Sequence, residues 1–319
     1  MARPIAQAFS LCGLSVSLAA FAMAQIAPSE ALSRVAEEAE AFQDNAPKAL
    51  TQETLEQRAV MRSNPRFHPR LGKTAPQPEP AKPRMQVREI VSEYSVGTLK
   101  ESASRNLVEF RQVVSVDGRA LQFAEKARHA LSLGVHSADD RLRKRMLEDF
   151  ARHGLVDIAT DYGLILLAFT KRGLQEMKIE PAGQTTIGPD DALVFHWKQT
   201  TPASGELEFH GRQVERLALQ GALYVKKSDG LPLRVEAWAE QVDIARHKIR
   251  DEATVEYVQS VHGFLTPASV VHRHRVDGQL VTENLYRYEP FKLFAADAEI
   301  KFTEVPDVST LPPTPPAKK

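Results

Sequence analysis

The stretch Gly221-Ala222-Leu223-Tyr224-Val225-Lys226-Lys227-Ser228-Asp229-Gly230-Leu231-Pro232-Leu233-Arg234-Val235-Glu236 decides the fold class. Two runs rich in β-branched and aromatic residues flank Asp229-Gly230, a pair that supplies the positive φ angles of tight hairpin turns. Leu233, Val235 and Ala237 then alternate with Arg234, Glu236 and Glu240, the period-two pattern of a half-buried strand. The same device recurs twice. Asp117-Gly118 separates Asn106–Val116 from Arg119–Phe123, and Asp277-Gly278 separates Ser269–Val276 from Leu280–Tyr288. On the first of these strands Val108, Phe110, Val114 and Val116 share one face, and Glu109, Arg111 and Ser115 the other. Further strands are expected at Leu174–Glu180, Leu193–Lys198, Glu206–His210, Arg250–Val261 and Ala295–Phe302. Sequential strands joined by short turns imply an antiparallel meander.

Two segments break this rhythm. Ser137–His153 reads as a helix with Ser137 as N-cap and Gly154 as stop; Leu142, Met146 and Phe150 form its apolar stripe, and Arg141, Arg143, Lys144 and Arg145 its solvated face. Ile158–Phe169 is the most hydrophobic run after the N-terminus, and its Leu164-Ile165-Leu166-Leu167 centre is apolar all round, so as a helix it must be buried on more than one side. The expected fold is α+β: a curved antiparallel sheet, a half-barrel of about eight to ten strands, with helices packed on its concave face.

The ends read differently. Arg3, the uncharged apolar run Ile5–Phe21 and Ala22-Met23-Ala24 before Gln25 form the pattern of a cleaved signal peptide over residues 1–24. The chain is therefore expected in the periplasm or outside the cell. Pro28–Phe42 has the spacing of an amphipathic helix, with Ser29 as its N-cap. Gln43–Arg84, with Pro76, Pro78, Pro80 and Pro83, reads as an extended tether, so residues 25–84 are expected to precede the domain as a helix, either docked on it or partly ordered, and a tether. The globular domain is expected over residues 85–302, followed by a proline-rich tail over 303–319.

The Gly221–Glu236 hairpin, with its Asp-Gly-Leu-Pro turn, resembles that of periplasmic lipoprotein carriers of the LolA and LolB kind. A closer resemblance is to exported bacterial proteins of unknown function, carried by Ala253–Tyr257, Gly263-Phe264-Leu265-Thr266-Pro267, Asn284–Tyr288 and Phe291–Phe294. It covers roughly Val87 to Phe302 and rests on motifs that fix turns and strands. The carrier resemblance implies a curved half-barrel closed by helices around an apolar cavity. Here Leu164, Ile165, Leu166, Leu167 and Phe169 are the candidate cavity lining.

Composition removes several chemistries. The single cysteine, Cys12, lies inside the signal segment, which leaves no disulfide, catalytic thiol or cysteine–zinc site. Equal numbers of basic and acidic side chains, 41 of each, give no electrostatic case for nucleic acid as a partner. No P-loop, dinucleotide fingerprint or Gly-x-Ser-x-Gly elbow is present, and no cofactor is implied. His272 and His274, two apart on a strand, could share a metal with His262; Arg273 and Arg275 oppose this, and solvated side chains on a polar face are the expectation. The adjacent acids Asp139-Asp140, Glu148-Asp149 and Asp190-Asp191 read as helix surface and turn, not as a catalytic pair. The functional expectation is an exported, non-enzymatic protein for an apolar ligand such as a lipid or acyl chain. The alternatives are an envelope scaffold with a self-filled core that binds an envelope protein, and a secreted hydrolase. N-terminal sequencing of exported protein should return Gln25 as the first residue; retention of Met1 would overturn the signal-peptide reading.

Overall fold

The computed structural model describes residues 26–61, 83–99, 107–137, 139–200, 207–210, 213–216 and 218–294. The signal segment, the proline cluster at 76–83 up to residue 82, the expected strand at 295–302 and the tail all fall outside them. The described residues form one 12-stranded antiparallel sheet, with a separate two-stranded ribbon of β7 (Leu207–His210) and β8 (Gln213–Arg216). From one edge the large sheet runs β4 (Arg119–Ala120), β3 (Leu107–Val116), β2 (Arg84–Thr98), β1 (Ala49–Met61), β13 (Gln279–Tyr288), β12 (Leu265–Val276) and β11 (Lys248–Gln259). It continues through β10 (Pro232–Val242), β9 (Gln220–Lys226) and β6 (Asp190–Gln199) to the other edge at β5 (Met177–Ile187), and β14 (Lys292–Leu293) adds to β1.

All three Asp-Gly hairpins form. At Asp117-Gly118 and Asp277-Gly278 both residues have positive φ, as a two-residue turn requires, whereas in the longer β9–β10 loop only Gly230 does. Gly230 has a second constraint: a Cβ there would lie 3.0 Å from Arg34 Cβ and from Ile26 Cδ1, so these side chains at the start of the N-terminal helix would have to give way to it. Gly221 is held by its own sheet, since a Cβ would meet the Glu236 carbonyl oxygen at 1.8 Å.

The strand registers sort side chains onto two faces. Glu53, Leu55 and Gln57 of β1 lie opposite Tyr288, Tyr286 and Asn284 of β13, and Val270 and His272 continue that row onto β12. This inner face also carries Val255, Val235, Leu223, Phe195 and Trp197, all buried in one core. The opposite, outer face is a ladder of cross-strand ion pairs: Arg58–Glu283 at 3.2 Å, Arg273–Glu283 at 2.8 Å, Arg275–Glu252 at 3.0 Å and Arg234–Glu256 at 2.6 Å. Such part-exposed pairs each contribute little to stability and serve to keep this face solvated.

Two layers cover the inner face. Helix α1 (Pro28–Asn45) buries Ala31, Val35, Ala39 and Phe42. Its N-cap is Ala27 with Pro28 at the first turn, not Ser29, and no side chain caps it. Between α1 and the sheet lies Tyr162–Phe169, a 3₁₀ segment and not the α-helix expected over Ile158–Phe169, because Asp161 adopts a left-handed conformation (φ 67°) that breaks regular winding.

Three further expectations are corrected. Gln43–Arg84 is not simply a tether, because β1 lies within it, at the centre of the sheet between β2 and β13. The packed unit therefore starts with α1, well before Met85. Second, helix α3 (Asp140–Ala151) is capped by Asp139, whose carboxylate accepts from the Arg141 N–H, and not by Ser137. Its Arg143 is buried and donates to the Thr98, Ser137 and Gly134 carbonyls, so it belongs to no solvated basic face, and Leu142 is exposed. Third, Leu174 lies in a short helix α4 (Lys171–Gln175), and the strand begins only at Met177.

Helix α2 (Ala124–His136), not anticipated, covers the outer face of β2 and β3 instead of the inner one. Arg128 reaches the buried Glu93 carboxylate at 3.1 Å, while Tyr94 points the other way into the core. Val108, Phe110, Leu131, Val135 and Met146 form a second small core there. A fragment spanning Met85–Phe302 lacks both α1 and the strand that joins β2 to β13. Circular dichroism and thermal melting should find it without a cooperative transition, whereas the chain from Gln25 should melt cooperatively.

Candidate functional site

The segment Leu155–Phe169 crosses the inner face as a strap, and polar groups rising from the strands hold its backbone at successive points. Gln57 Oε1 accepts from the Leu155 N–H at 2.6 Å, and the Tyr286 hydroxyl donates to the Ala159 carbonyl. The Tyr257 hydroxyl donates to the Gly163 carbonyl and accepts from the Leu166 N–H, both at 3.1 Å. Asp161 and Glu109 clasp each other: the Glu109 N–H donates to Asp161 Oδ1 and the Asp161 N–H to Glu109 Oε2, each at 2.9 Å. The clasp caps β3 on its outer side, where a strand edge leaves backbone donors free. Gly163 is required beside it, because a Cβ would lie 2.6 Å from Glu109 Oε1.

Beneath the clasp sits a buried cluster of charges. Arg111 makes a two-pronged contact with Glu53 at 2.7 and 2.8 Å and a third with Glu109 at 2.6 Å; all three side chains are at most 1% exposed. The Arg111 guanidinium lies 4.7 Å from the Phe150 ring centroid, 5.1 Å from Tyr94 and 5.4 Å from Tyr286. Tyr94 also donates to Glu109 Oε1 at 3.0 Å.

Three carboxylates are thus buried around one guanidinium that bonds two of them, and the imbalance moves protons. Burial, joined by the charge of Glu109, raises Asp161 to about 7. Burial also raises Glu53 in spite of Arg111, and the two glutamates hold Arg111 protonated against burial.

A second polar chain lies further along the face. Asp251 Oδ1 stands 2.7 Å from His274 Nδ1 and 3.3 Å from His272 Nε2. Asn284 links His272 at 3.2 Å to Gln57 at 3.0 Å, and the His272 ring stacks on Tyr162 with centroids 4.7 Å apart. His272 is therefore a core residue, not the solvated one the polar-strand reading expected. The carboxylate beside the two imidazoles comes from the neighbouring strand, invisible to spacing along the chain. Hydrogen bonds from both histidines keep Asp251 ionised far below the usual carboxylate range, although burial opposes this. His262 does not join them, and among the described residues no three His, Cys, Asp or Glu side chains are arranged to hold a metal.

The candidate lining residues meet in the core. Leu164, Ile165, Leu166 and Phe169 are buried, with Phe169 edge-on to Trp197 at 5.3 Å, and Leu167 packs partly buried against the same core. The adjacent acid pairs do not converge: Asp139 caps α3, Asp149 pairs with Arg152 at 2.7 Å, and Asp190 pairs with Lys226 at 3.0 Å. The acids that do converge, Glu53, Glu109 and Asp161, are 56 and 52 positions apart in sequence order and are held under the strap.

Neither a family model nor a curated protein matches this sequence. Solved structures similar to the chain do exist. One is a domain described as an outer membrane lipoprotein-sorting protein, from Vibrio parahaemolyticus, at 10% identity over 83% of this chain and 93% of that one, with a TM-score of 0.32. A LolA superfamily protein from Nitrosomonas europaea is 10% identical over 82% of this chain and 93% of its own, with a TM-score of 0.29. A DUF1329 family protein from Desulfovibrio piger is 9% identical over 88% of this chain and 98% of its own, with a TM-score of 0.33.

The clasp has a pH signature. Asp161 binds a proton more tightly folded (about 7) than unfolded (near 3.8), so its contribution to stability is complete below 3.8 and is lost as pH rises through about 7. The slope is at most roughly 1.4 kcal/mol per pH unit. Glu53 and Glu38 shift in the same direction, whereas Asp251 acts only in stronger acid. Asp161→Asn, which keeps an acceptor for the Glu109 N–H, should therefore flatten the fall in melting temperature between pH 5 and pH 8, as differential scanning calorimetry would record.

Proposed function

We propose that this is an exported, non-enzymatic protein that takes up an apolar ligand, a lipid or acyl chain, between the strap and the inner face of the sheet. Export rests on the N-terminal sequence pattern. The observation that supports the binding reading is the nature of the cover over the aliphatic and aromatic face. Tyr162–Phe169 is an eight-residue 3₁₀ segment, held to the sheet by discrete polar contacts, and 3₁₀ geometry this long is intrinsically weak. In this reading Leu164, Ile165, Leu166, Leu167 and Phe169 occupy the apolar site when it is empty and form one wall of it when the strap lifts.

A second reading is an envelope scaffold that binds another envelope protein, its core filled by its own side chains. It is favoured by the complete burial of Leu166 and Phe169. The two separate on one variant. Tyr257→Phe deletes the hydroxyl bridging Gly163 and Leu166 while keeping the ring, and leaves the strap about 1–3 kcal/mol easier to lift. If the strap must lift for binding, the wild type binds a fluorescent acyl probe with defined stoichiometry, and Tyr257→Phe binds it about tenfold more tightly. If neither protein binds the probe and the variant only loses stability, the scaffold reading stands.

A further inference from the structure

The two edges of the sheet are treated differently. At the β3 edge the Asp161 carboxylate takes up the Glu109 N–H, and β4 extends the cover. At the other edge, among the described residues, β5 pairs with β6 alone, and residues 180–186 are exposed. The hydrogen bonds of β6 reveal which groups of β5 point outward. The Gln199 N–H donates to Leu219 on the β9 side, and the Thr200 N–H donates to the Glu176 carbonyl on the β5 side. Lys198 and His196, which share the parity of Thr200, therefore exchange backbone bonds with their register partners Lys178 and Glu180. Met177, Ile179 and Pro181 are left with their backbone groups directed away from the sheet. Pro181 fits this assignment, since a proline in a sheet is tolerated where its missing N–H faces outward.

Charge along this edge is unbalanced. Lys178 stands directly opposite Lys198, a like-charge cross-strand pair, and both Lys178 and Glu180 are exposed without an ion-pair partner among the described residues.

We propose that β5 is a self-association edge, pairing antiparallel with β5 of a second copy about a two-fold axis at Ile179. In that register the two Ile179 residues exchange N–H and C=O bonds. Each Met177 N–H meets the partner's Pro181 carbonyl, so the absent proline donor spoils only half of the outer pair. The same register sets each Lys178 opposite the partner's Glu180, twice by symmetry, and relieves the Lys178–Lys198 repulsion. Self-complementarity of this kind is what an isologous interface requires. The irregularity between Pro181 and Gly183 ends the pairing after this short stretch, so the contact closes as a dimer and does not run on along the strand.

Sedimentation equilibrium of the purified full-length protein over a wide concentration range tests the proposal. The expected result is a reversible monomer–dimer equilibrium. Lys178→Glu alone and Glu180→Lys alone should each weaken the dimer about tenfold, because each creates two like-charge pairs across the axis. The double variant Lys178→Glu/Glu180→Lys should return to wild-type affinity, since it restores both opposite-charge pairs. Ile179→Pro, which removes the outward N–H along with part of the Ile179 side chain packed at the margin of the core, should abolish the dimer, with circular dichroism confirming that the monomer is still folded. A chain that is monomeric throughout the range, a dimer indifferent to the single reversals, or a double variant no better than the singles would each overturn it.

Discussion

The contact of Arg111 with Glu53 and Glu109, and through Glu109 with the turn at Asp161, ties the sheet to the layer that covers it, and the arrangement of the remaining core follows from that tie. Arg111 rises from β3, reaches across β2 to Glu53 on β1, and through Glu109 fixes the turn at Asp161. Removing these ions from water is costly, and a buried ion network of this kind commonly contributes less stability than an apolar replacement of equal volume. What it supplies is direction. An apolar strap over an apolar sheet could slide by one residue with small penalty, but a strap whose backbone must meet Glu109, Tyr286, Tyr257 and Gln57 together has one register.

The same logic orders the two faces. The inner face mixes aliphatic rows with buried polar groups such as Gln57, Glu53, Arg111 and Tyr257 that bond the strap or one another, while the Ser92 hydroxyl and the Trp197 indole N–H have no hydrogen-bond partner among the described residues. The outer face uses short-range ion pairs between neighbouring strands, individually weak, that keep a wide sheet soluble without a second covering layer except where α2 lies. The protein thus spends its polar residues in two ways: many at low individual energy outside, and a few at high energy inside.

This division explains what could be read from the chain alone. Hairpins at Asp117, Asp229 and Asp277 were legible because turn chemistry is local. Strand β1 was not, because three of its inward positions, Thr51, Glu53 and Gln57, are polar and interrupt the apolar alternation of Ala49, Leu55 and Ala59 that would mark a half-buried strand. On β3, Glu109 and Arg111 looked like a solvent face opposite Val108 and Phe110, yet both faces are covered, one by α2 and the other by the strap. The candidate site was legible only in its apolar part. Leu164 to Phe169 announced burial by composition, whereas the carboxylates and histidines that position it converge from separate strands, and no spacing along a sequence records that convergence.

The place of β1 in the sheet has a consequence for how the molecule comes into being. Residues 53–59 pair with residues 282–288, so the central ladder joins the start of the described chain to its end. A chain delivered from its N-terminus must hold β1 open until nearly all of the other strands have emerged. Closure over so many intervening residues makes folding slow for topological reasons. Until then one side of β1 offers free backbone donors and acceptors to any passing strand, a period of exposure for which the polar residues along it are a natural protection.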